Sequence, residues 1–157
     1  MLIANTAVPS WHAPHDELPF VFAGSAMAGG GGLRMVFTPV EQAGPARKMA
    51  VTGAAIELAM VHQVESDESI VSEPYHLGRA GRFMRAAKMC TAAGAGLTVV
   101  AGRTRPGAVA SGTLLAAGSL LTRFGVFDAG MASARDPKYT VIPQKERLAA
   151  RTRPRAV

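Results

Sequence analysis

The stretch from residue 111 to residue 130, SGTLLAAGSLLTRFGVFDAG, constrains this chain most strongly, because it is apolar over the length of a membrane-spanning helix. Its second half carries Arg123 and Asp128, and a polar segment with several basic residues follows. This order is typical of the last membrane crossing of a helical protein, followed by a tail outside the lipid.

Small residues dominate the other apolar stretches of the chain. The sequence is 48% hydrophobic but only 6% aromatic, and 17 of its 157 residues are glycine. Segments rich in Gly and Ala bury little apolar area in water, whereas in lipid they allow helices to approach closely. The composition therefore favours a membrane bundle over a soluble core.

Four segments are long and apolar enough to cross about 30 Å of hydrocarbon. The sequence thus predicts an all-α fold, a transmembrane helical bundle of about four spanning helices. The predicted spans are residues 18–40, 49–65, 86–102 and 108–127.

The chain is predicted to have three parts. Residues 1–17 form the end of a truncated helix and an interfacial loop, residues 18–128 form the four-helix transmembrane domain, and residues 129–157 form a basic cytoplasmic tail. The N-terminus lacks a basic start and is broken by Pro9, so we expect no cleavable export signal. The spanning helices themselves are expected to direct the chain to the cell membrane.

The distribution of basic residues predicts the orientation. The net charge is +6 at pH 7, and seven of the seventeen Lys and Arg residues follow Ala134. Residues 66–88 hold four more, whereas residues 41–48 and 103–107 hold two each. The positive-inside rule therefore places the tail and residues 66–88 in the cytoplasm. Because no basic face with interleaved aromatic residues is formed, we do not expect a nucleic-acid partner.

Cysteine and histidine usage limits the cofactors. The single cysteine, Cys90, excludes an intrachain disulfide and an iron–sulfur cluster held by this chain alone, which needs about four thiolates. A haem held between two histidines within the bilayer is a further alternative, but only His62 lies in a predicted span.

Charged residues inside the predicted spans are candidates for a site. If the first turn centres near Gly44, Arg34 and Glu57 lie within roughly 5 Å of the same depth. An ionisable pair inside lipid is a site hypothesis by default, because an unpaired charge is costly there. In the alternative, Arg34 extends toward the turn and Glu57 faces a watery cleft.

The end of the last span offers a second candidate site. Arg123 and Asp128 bracket two phenylalanines, and a buried arginine beside aromatic rings can hold an anionic or carbonyl headgroup such as that of a quinone. In the alternative, Arg123 extends to the interface and Asp128 caps or pairs with it. His12 lies in the Pro-bounded segment 9–19 and can donate to a quinone carbonyl, the alternative being a solvated loop.

A polar turn follows the last span. The sequence SARDPKYTV, residues 133–141, contains Pro137 and four residues suited to docking a soluble subunit. A plain juxtamembrane tail would carry the same pattern. The four candidate docking residues are Arg135, Asp136, Lys138 and Tyr139.

Five segments together carry a family resemblance. They are TAVPSWH (6–12), ELPFVFAGSA (17–26), GPARKMAVTGAAIELA (44–59), SEPYHLGRAGRFMRAAK (72–88) and LLTRFGVFDAGMASARDPKYTVIPQKERL (120–148). The series resembles the C-terminal half of the NrfD-like, polysulfide-reductase-type family of integral membrane subunits. It covers nearly the whole chain, and its last segment is the most specific.

The resemblance implies a subunit that passes electrons between the quinone pool and an iron–sulfur partner subunit, which serves a molybdopterin or haem catalytic subunit. It implies no redox metal and no covalently bound cofactor on this chain, with quinone or quinol as the substrate. Because the family has about twice as many spans, the chain is expected to be a partial copy of a larger bundle. A truncated or purely structural membrane anchor is the alternative. The candidate quinone-binding residues are His12, Arg34, Glu57, Arg123 and Asp128.

Overall fold

The computed structural model describes residues 8–12, 16–66, 73–76, 78–139, 141–142 and 145 of the chain. Every regular element among these residues is an α-helix, so the predicted all-α fold is confirmed for them. Four helices are long: α2 (Leu18–Phe37), α3 (Gly44–Ser66), α5 (Gly78–Ala101) and α6 (Arg105–Arg135). Two have four residues each: α1 (Pro9–His12) and α4 (Glu73–His76).

Proline occupies the second position of three long helices, as Pro19 in α2, Pro45 in α3 and Pro106 in α6. The first N–H groups of a helix have no partner within it, so a residue without an N–H costs no hydrogen bond there. At α6 the hydroxyl of Thr104 also caps the helix by accepting from the Gly107 N–H at 3.2 Å. These signals define the starts of α2, α3 and α6.

The four long helices form an up-and-down bundle. Helix α2 packs against α3 and α6, and α5 likewise packs against α3 and α6. Helices α3 and α6 therefore face each other diagonally, as do α2 and α5. We call the end with the two short turns, residues 38–43 and 102–104, the turn end, and the opposite end, where α1 and α4 pack on α6, the α4 end.

Glycines allow the backbones of α2 and α3 to approach closely. A Cβ atom placed on Gly53 would lie 2.6 Å from the Cβ of Met27, and one on Gly31 would lie 2.7 Å from the Ala50 nitrogen. Both distances are shorter than real Cβ contacts. The small residues that dominate the sequence thus form the helix interface, as expected for close packing in a membrane bundle.

Two apolar clusters fill the bundle, with a polar level between them. Along α3, Glu57 separates the clusters, since Ala54 belongs to one and Val61 to the other. The α4-end cluster consists of Leu18, Val21, Val61, Val64, Tyr75, Ala80, Met84, Val126 and Ala129. The turn-end cluster consists of Ala28, Met35, Ala46, Ala50, Ala54, Ala108 and Leu115.

Helices α2 and α6 are long and apolar enough to cross a membrane. In each, 44% of the most apolar 18-residue window is buried, so more than half of that window faces outward. Large apolar side chains lie on the outside of the bundle, including Val100 at 86% exposure and Phe37 at 81%. Exposed apolar surface of this kind marks contact with a membrane or with another protein. Helices α3 and α5 are not among the helices apolar enough to cross, so two of the four predicted spans meet this criterion among the described residues.

Helix α6 is longer than predicted. The predicted last span ends at residue 127 and the predicted tail begins at residue 129, but the helix continues to Arg135. Hydrogen bonds connect the extension to α1 and α4. The Ser10 N–H donates to the Ser133 hydroxyl at 3.3 Å, and the Tyr75 hydroxyl donates to the Ser10 carbonyl at 2.8 Å. Burial raises the pKa of Tyr75 well above its ordinary value, so its hydroxyl keeps the donated proton. The predicted N-terminal fragment 1–7 and tail residues 146–157 lie outside the described residues.

Replacing Gly53 by valine tests the close approach of α2 and α3. The new side chain would meet the backbone of α2, so we expect the free energy of unfolding in detergent micelles to fall by about 3 kcal/mol. Equilibrium unfolding followed by circular dichroism measures this change. The matched control is Gly96→Val, because Gly96 is exposed and has nothing within 4 Å of an added Cβ. Equal effects of the two substitutions would contradict the packing assignment.

Candidate functional site

Polar side chains from all four long helices meet around Glu57 of α3, which is 1% exposed. Its Oε1 accepts from the Thr122 hydroxyl of α6 at 2.6 Å, and its Oε2 accepts from the Thr91 hydroxyl of α5 at 3.4 Å. The hydroxyl of Ser25 on α2 also lies within hydrogen-bonding reach. We call the buried residues Ser25, Glu57, Thr91, Ser119 and Thr122 the polar layer.

The polar layer lies deep within the bundle. Glu57 is about 20 Å from the start of α3 and about 14 Å from its end, at a rise of about 1.5 Å per residue. Both distances place the carboxyl group near the middle of the helix. A carboxyl group buried there, away from both ends of the bundle, is a candidate functional group.

Arg123 extends the polar layer toward the outside of the bundle. Its Nη1 donates to the Ser119 carbonyl at 2.8 Å and also to the Ser119 hydroxyl. The hydroxyl oxygens of Ser119 and Ser25 are 3.0 Å apart. Arg123 acts on Glu57 electrostatically without forming an ion pair with it. A chain of polar groups therefore joins the buried carboxyl to a guanidinium.

A largely apolar cleft of about 340 Å³ lies beside Arg123, where α1, α2 and α6 meet. The Trp11 ring is held in its wall, because its Nε1 donates to the Val126 carbonyl at 2.9 Å. Such a combination of aromatic walls and one charged donor suits a flat ring that carries a hydrogen-bond acceptor. We call this the Arg123 cleft, and it is lined by Trp11, Leu18, Phe22, Arg123, Val126 and Phe127.

The predicted ion pair between Arg34 and Glu57 does not form. Arg34 is exposed and lies about 5 Å from the end of α2, whereas Glu57 lies about 20 Å into α3. The predicted depths were obtained by counting residues from Gly44 as if residues 38–43 were helical, although these residues form the turn. This count therefore overestimated the depth of Arg34, which sits at the turn end, away from the polar layer.

Asp128 pairs with Arg79 of α5 instead of Arg123. The Asp128 Oδ2 is 3.2 Å from the Arg79 Nε, but in a geometry that makes no hydrogen bond, so the buried oxygen lacks a donor among the described residues. Asp128 and Arg79 line a second cleft of about 570 Å³ between α4, α5 and α6. Arg123 and Asp128 thus belong to different clefts, although Phe127 lines both.

His12 is the last residue of α1, and its side chain lies outside the described part of the chain. The neighbouring Trp11 is described and lines the Arg123 cleft. Trp11 is not among the site residues predicted from the sequence. The prediction for His12 therefore stays a prediction.

The predicted docking segment is partly anchored to the bundle. Lys138 pairs with Glu73 of α4 at 3.1 Å, and the Tyr139 hydroxyl donates to the same carboxylate at 3.3 Å. The hydrogen bond with Glu73 raises the pKa of Lys138, which stays cationic. Asp136 accepts from the Lys138 N–H at 3.0 Å. Tyr139 is buried, so Arg135, exposed at the end of α6, is the member most accessible to a partner.

The hydroxyl side chains of the polar layer are not among the site residues predicted from the sequence. Each lies inside a run of Gly, Ala and Leu, where a Ser or Thr looks like another small packing residue. A signal was present, because hydroxyls near the middle of three apolar segments accompany one carboxyl near the middle of a fourth. The missed residues are Ser25, Thr91, Ser119 and Thr122.

Metal-ligating side chains do not gather in the part of the chain that the structure describes, where no three His, Cys, Asp or Glu residues come together. His62 is exposed on α3. The Arg123 cleft, with its aromatic walls and one guanidinium, is the candidate place for an organic ligand.

Comparison of the chain with family models, with curated proteins and with solved structures gives no match. The resemblance to NrfD-like subunits therefore stays a prediction from the sequence. Any functional conclusion depends on the site itself.

Replacing Thr122 by valine tests the polar layer. The substitution keeps the side-chain shape but removes the 2.6 Å hydrogen bond to a buried carboxyl, so we expect a loss of about 1–3 kcal/mol in the free energy of unfolding. The measurement is again equilibrium unfolding in micelles. Thr113→Val on the same helix is the control, because Thr113 is exposed and donates only to the Val109 carbonyl of its own helix. A Thr122→Val protein as stable as this control would show that the bond is unimportant.

Proposed function

We propose that this chain is an integral membrane subunit of a respiratory oxidoreductase complex. It passes electrons between the quinone pool and an iron–sulfur partner subunit, with the Arg123 cleft as the quinone site. The observation that carries the proposal is this cleft, in which one guanidinium stands beside aromatic and aliphatic walls.

The chemistry of the cleft matches a quinone headgroup. A quinone is a flat ring with two carbonyl oxygens, and aromatic side chains such as Trp11 and Phe127 offer it stacking surfaces. Arg123 uses Nη1 on Ser119, so Nε and Nη2 have no hydrogen-bond partner among the described residues and can donate to a carbonyl. A volume of about 340 Å³ suits the headgroup, and the apolar tail would extend into lipid.

The proposed electron path leaves from the α4 end. When a quinol is oxidised to a quinone at the cleft, its two protons are released to water, and its two electrons pass to the iron–sulfur partner and from there to a molybdopterin or haem catalytic subunit. Exposed arginines at this end, Arg82 and Arg135, offer charge for docking that partner. A cleft and a docking surface at the same end keep the transfer distance short.

We propose that all four long helices cross the cell membrane, which makes the chain a multi-pass protein. Helices α3 and α5 are as long as α2 and pack against it or against α6. The charged residues of these two helices can lie near the surface of the membrane. Lys88 pairs with Glu65 at 2.5 Å near the end of α3, and the arginines of α5 lie in its first turns. By the positive-inside rule the α4 end is cytoplasmic.

A cysteine-accessibility experiment tests the four-span topology. In a Cys90→Ser background, we expect Gln42→Cys and Arg103→Cys at the two turns to react with a membrane-impermeant maleimide from outside intact cells. Arg135→Cys and Ser66→Cys, the latter at the end of α3, should react only in inverted vesicles. All four positions are exposed, so a failure to react reports the side of the membrane. Labelling of Ser66→Cys from outside would show that only α2 and α6 cross. Labelling of Gln42→Cys and Arg103→Cys from opposite sides would contradict four crossings.

A purely structural membrane anchor is the second candidate. It is favoured by the internal bonding of the predicted site residues, because Arg123 donates to Ser119 of its own helix and Asp128 pairs with Arg79. Contacts of this kind within the chain can position both side chains without a ligand. The two candidates differ in whether Arg123 affects electron transfer.

Replacing Arg123 by alanine separates the two candidates. If the cleft binds quinone, the loss of the donor should lower quinol-dependent turnover of the assembled complex about tenfold, which corresponds to one hydrogen bond of about 1.4 kcal/mol. Membrane insertion, followed by immunoblot of washed membranes, should persist. The control Arg34→Ala removes an arginine of the bundle far from the cleft and should leave turnover unchanged. Normal turnover in Arg123→Ala would favour the structural anchor.

A further inference from the structure

The carboxyl group of Glu57 takes no part in the proposed quinone contacts. It does not line the Arg123 cleft, it is 1% exposed, and it forms none of the ion pairs found among the described residues. Burying a carboxyl at this depth is costly, and a hydrophobic residue would fill the same space without that cost. Its presence therefore calls for a chemical role.

The surroundings of Glu57 suit both protonation states. Its neighbours from the other helices are hydroxyl groups, namely those of Ser25, Thr91 and Thr122. A hydroxyl can donate to a carboxylate and, after rotation, accept from a carboxylic acid. A lysine or arginine in direct contact would instead fix the ionised state. The polar layer thus allows a proton to arrive and leave without a change in packing.

A route for the proton leads outward from Glu57. The Ser25 hydroxyl lies within reach of the carboxyl, the Ser119 hydroxyl lies 3.0 Å from that of Ser25, and Arg123 donates to Ser119. Exposure rises along this line, from 0% at Ser25 to 6% at Ser119, and Arg123 borders the cleft. Because a guanidinium does not give up its proton, Arg123 orients the Ser119 hydroxyl and does not itself relay.

We propose that Glu57 is a proton-exchange site at the centre of the bundle, connected to the Arg123 cleft through the hydroxyls of Ser25 and Ser119. In each exchange the carboxylic acid gives its proton to the Ser25 oxygen, Ser25 passes its own proton to Ser119, and Ser119 passes its own to water or a bound molecule in the Arg123 cleft, which leaves Glu57 as the carboxylate. The net result is the transfer of one proton, with no electrons involved. The site goes beyond the quinone proposal and does not depend on which molecule occupies the cleft.

The charged groups around Glu57 are few. Helix α6 contributes Arg123, whereas α2 and α5 present the hydroxyls of Ser25 and Thr91. On α3 itself the nearest titratable residues toward the α4 end are His62, which is exposed, and Glu65, which pairs with Lys88. Among the described residues, Arg123 is thus the charged group that acts on the carboxyl.

Infrared difference spectroscopy of the full chain in phosphatidylcholine vesicles tests the proposal. We expect a carbonyl band of a protonated carboxylic acid that disappears as the pH is raised and shifts in D₂O. The band should be absent from Glu57→Gln and retained in Glu65→Gln, a matched change on the same helix. The measurement needs neither quinone nor a partner subunit, so its outcome is independent of the turnover experiment.

Three results would overturn the proposal. A spectrum without this band, or with a band that does not respond to pH or D₂O, would make Glu57 a structural group. Loss of the band when sodium chloride replaces choline chloride at constant pH would make the site one for a sodium ion. We expect the D₂O shift in Ser119→Ala to be at least about tenfold slower than in Thr113→Ala. Equal rates in the two variants would rule out the route through Ser119.

Changing Arg123 to glutamine provides a second readout. The positive charge of Arg123 favours the ionised form of Glu57, so removing this charge should let the carboxylic acid band persist to higher pH. A band with the same pH response as in the unmodified chain would show that Arg123 does not act on Glu57, which contradicts the proposed arrangement.

Discussion

A carboxyl group surrounded by apolar helices must be hydrogen-bonded, and this requirement aligns the whole bundle. Glu57 meets it with hydroxyls from α5 and α6, and with Ser25 of α2 within reach. Moving one helix along its axis by a single turn, about 5.4 Å, would separate its hydroxyl from the carboxyl and leave a buried polar group unpaired. The polar layer therefore selects one register among the many that Gly- and Ala-rich surfaces would permit.

The same layer links structure to function. Apolar packing on either side excludes water from Glu57, while Ser119 and Arg123 continue the polar contacts to the edge of the bundle. Trp11 forms part of the wall of the cleft beside Arg123, and its ring is held there by the hydrogen bond to the Val126 carbonyl. The proposed ligand site and the proposed proton-exchange site are thus neighbours that share one residue, Arg123. Such a neighbourhood suits chemistry in which a proton accompanies a change in the bound molecule.

The helices could be predicted from the sequence, but the partners within the site could not. Long apolar runs and the prolines at helix starts locate the elements to within a few residues, and their charges single out Glu57 and Arg123. The pairing of Arg34 with Glu57 failed because depth depends on how many residues the turn uses. Ser119 and Ser25 could not be predicted as site residues, because a hydroxyl side chain within a run of small residues produces no periodic pattern in the sequence. Contacts between diagonal helices, such as Thr122 with Glu57, need the packed bundle.

The two halves of the bundle differ in how they can respond to a ligand. In the turn-end half, alanines and glycines bring backbones into contact, so any rearrangement there would have to move whole helices. In the α4-end half, larger side chains such as Leu18, Met84 and Val126 separate the backbones. These residues can change rotamer while the helices stay in place. Any adjustment to a bound molecule would therefore be made by side chains at the α4 end, and by whole helices at the turn end.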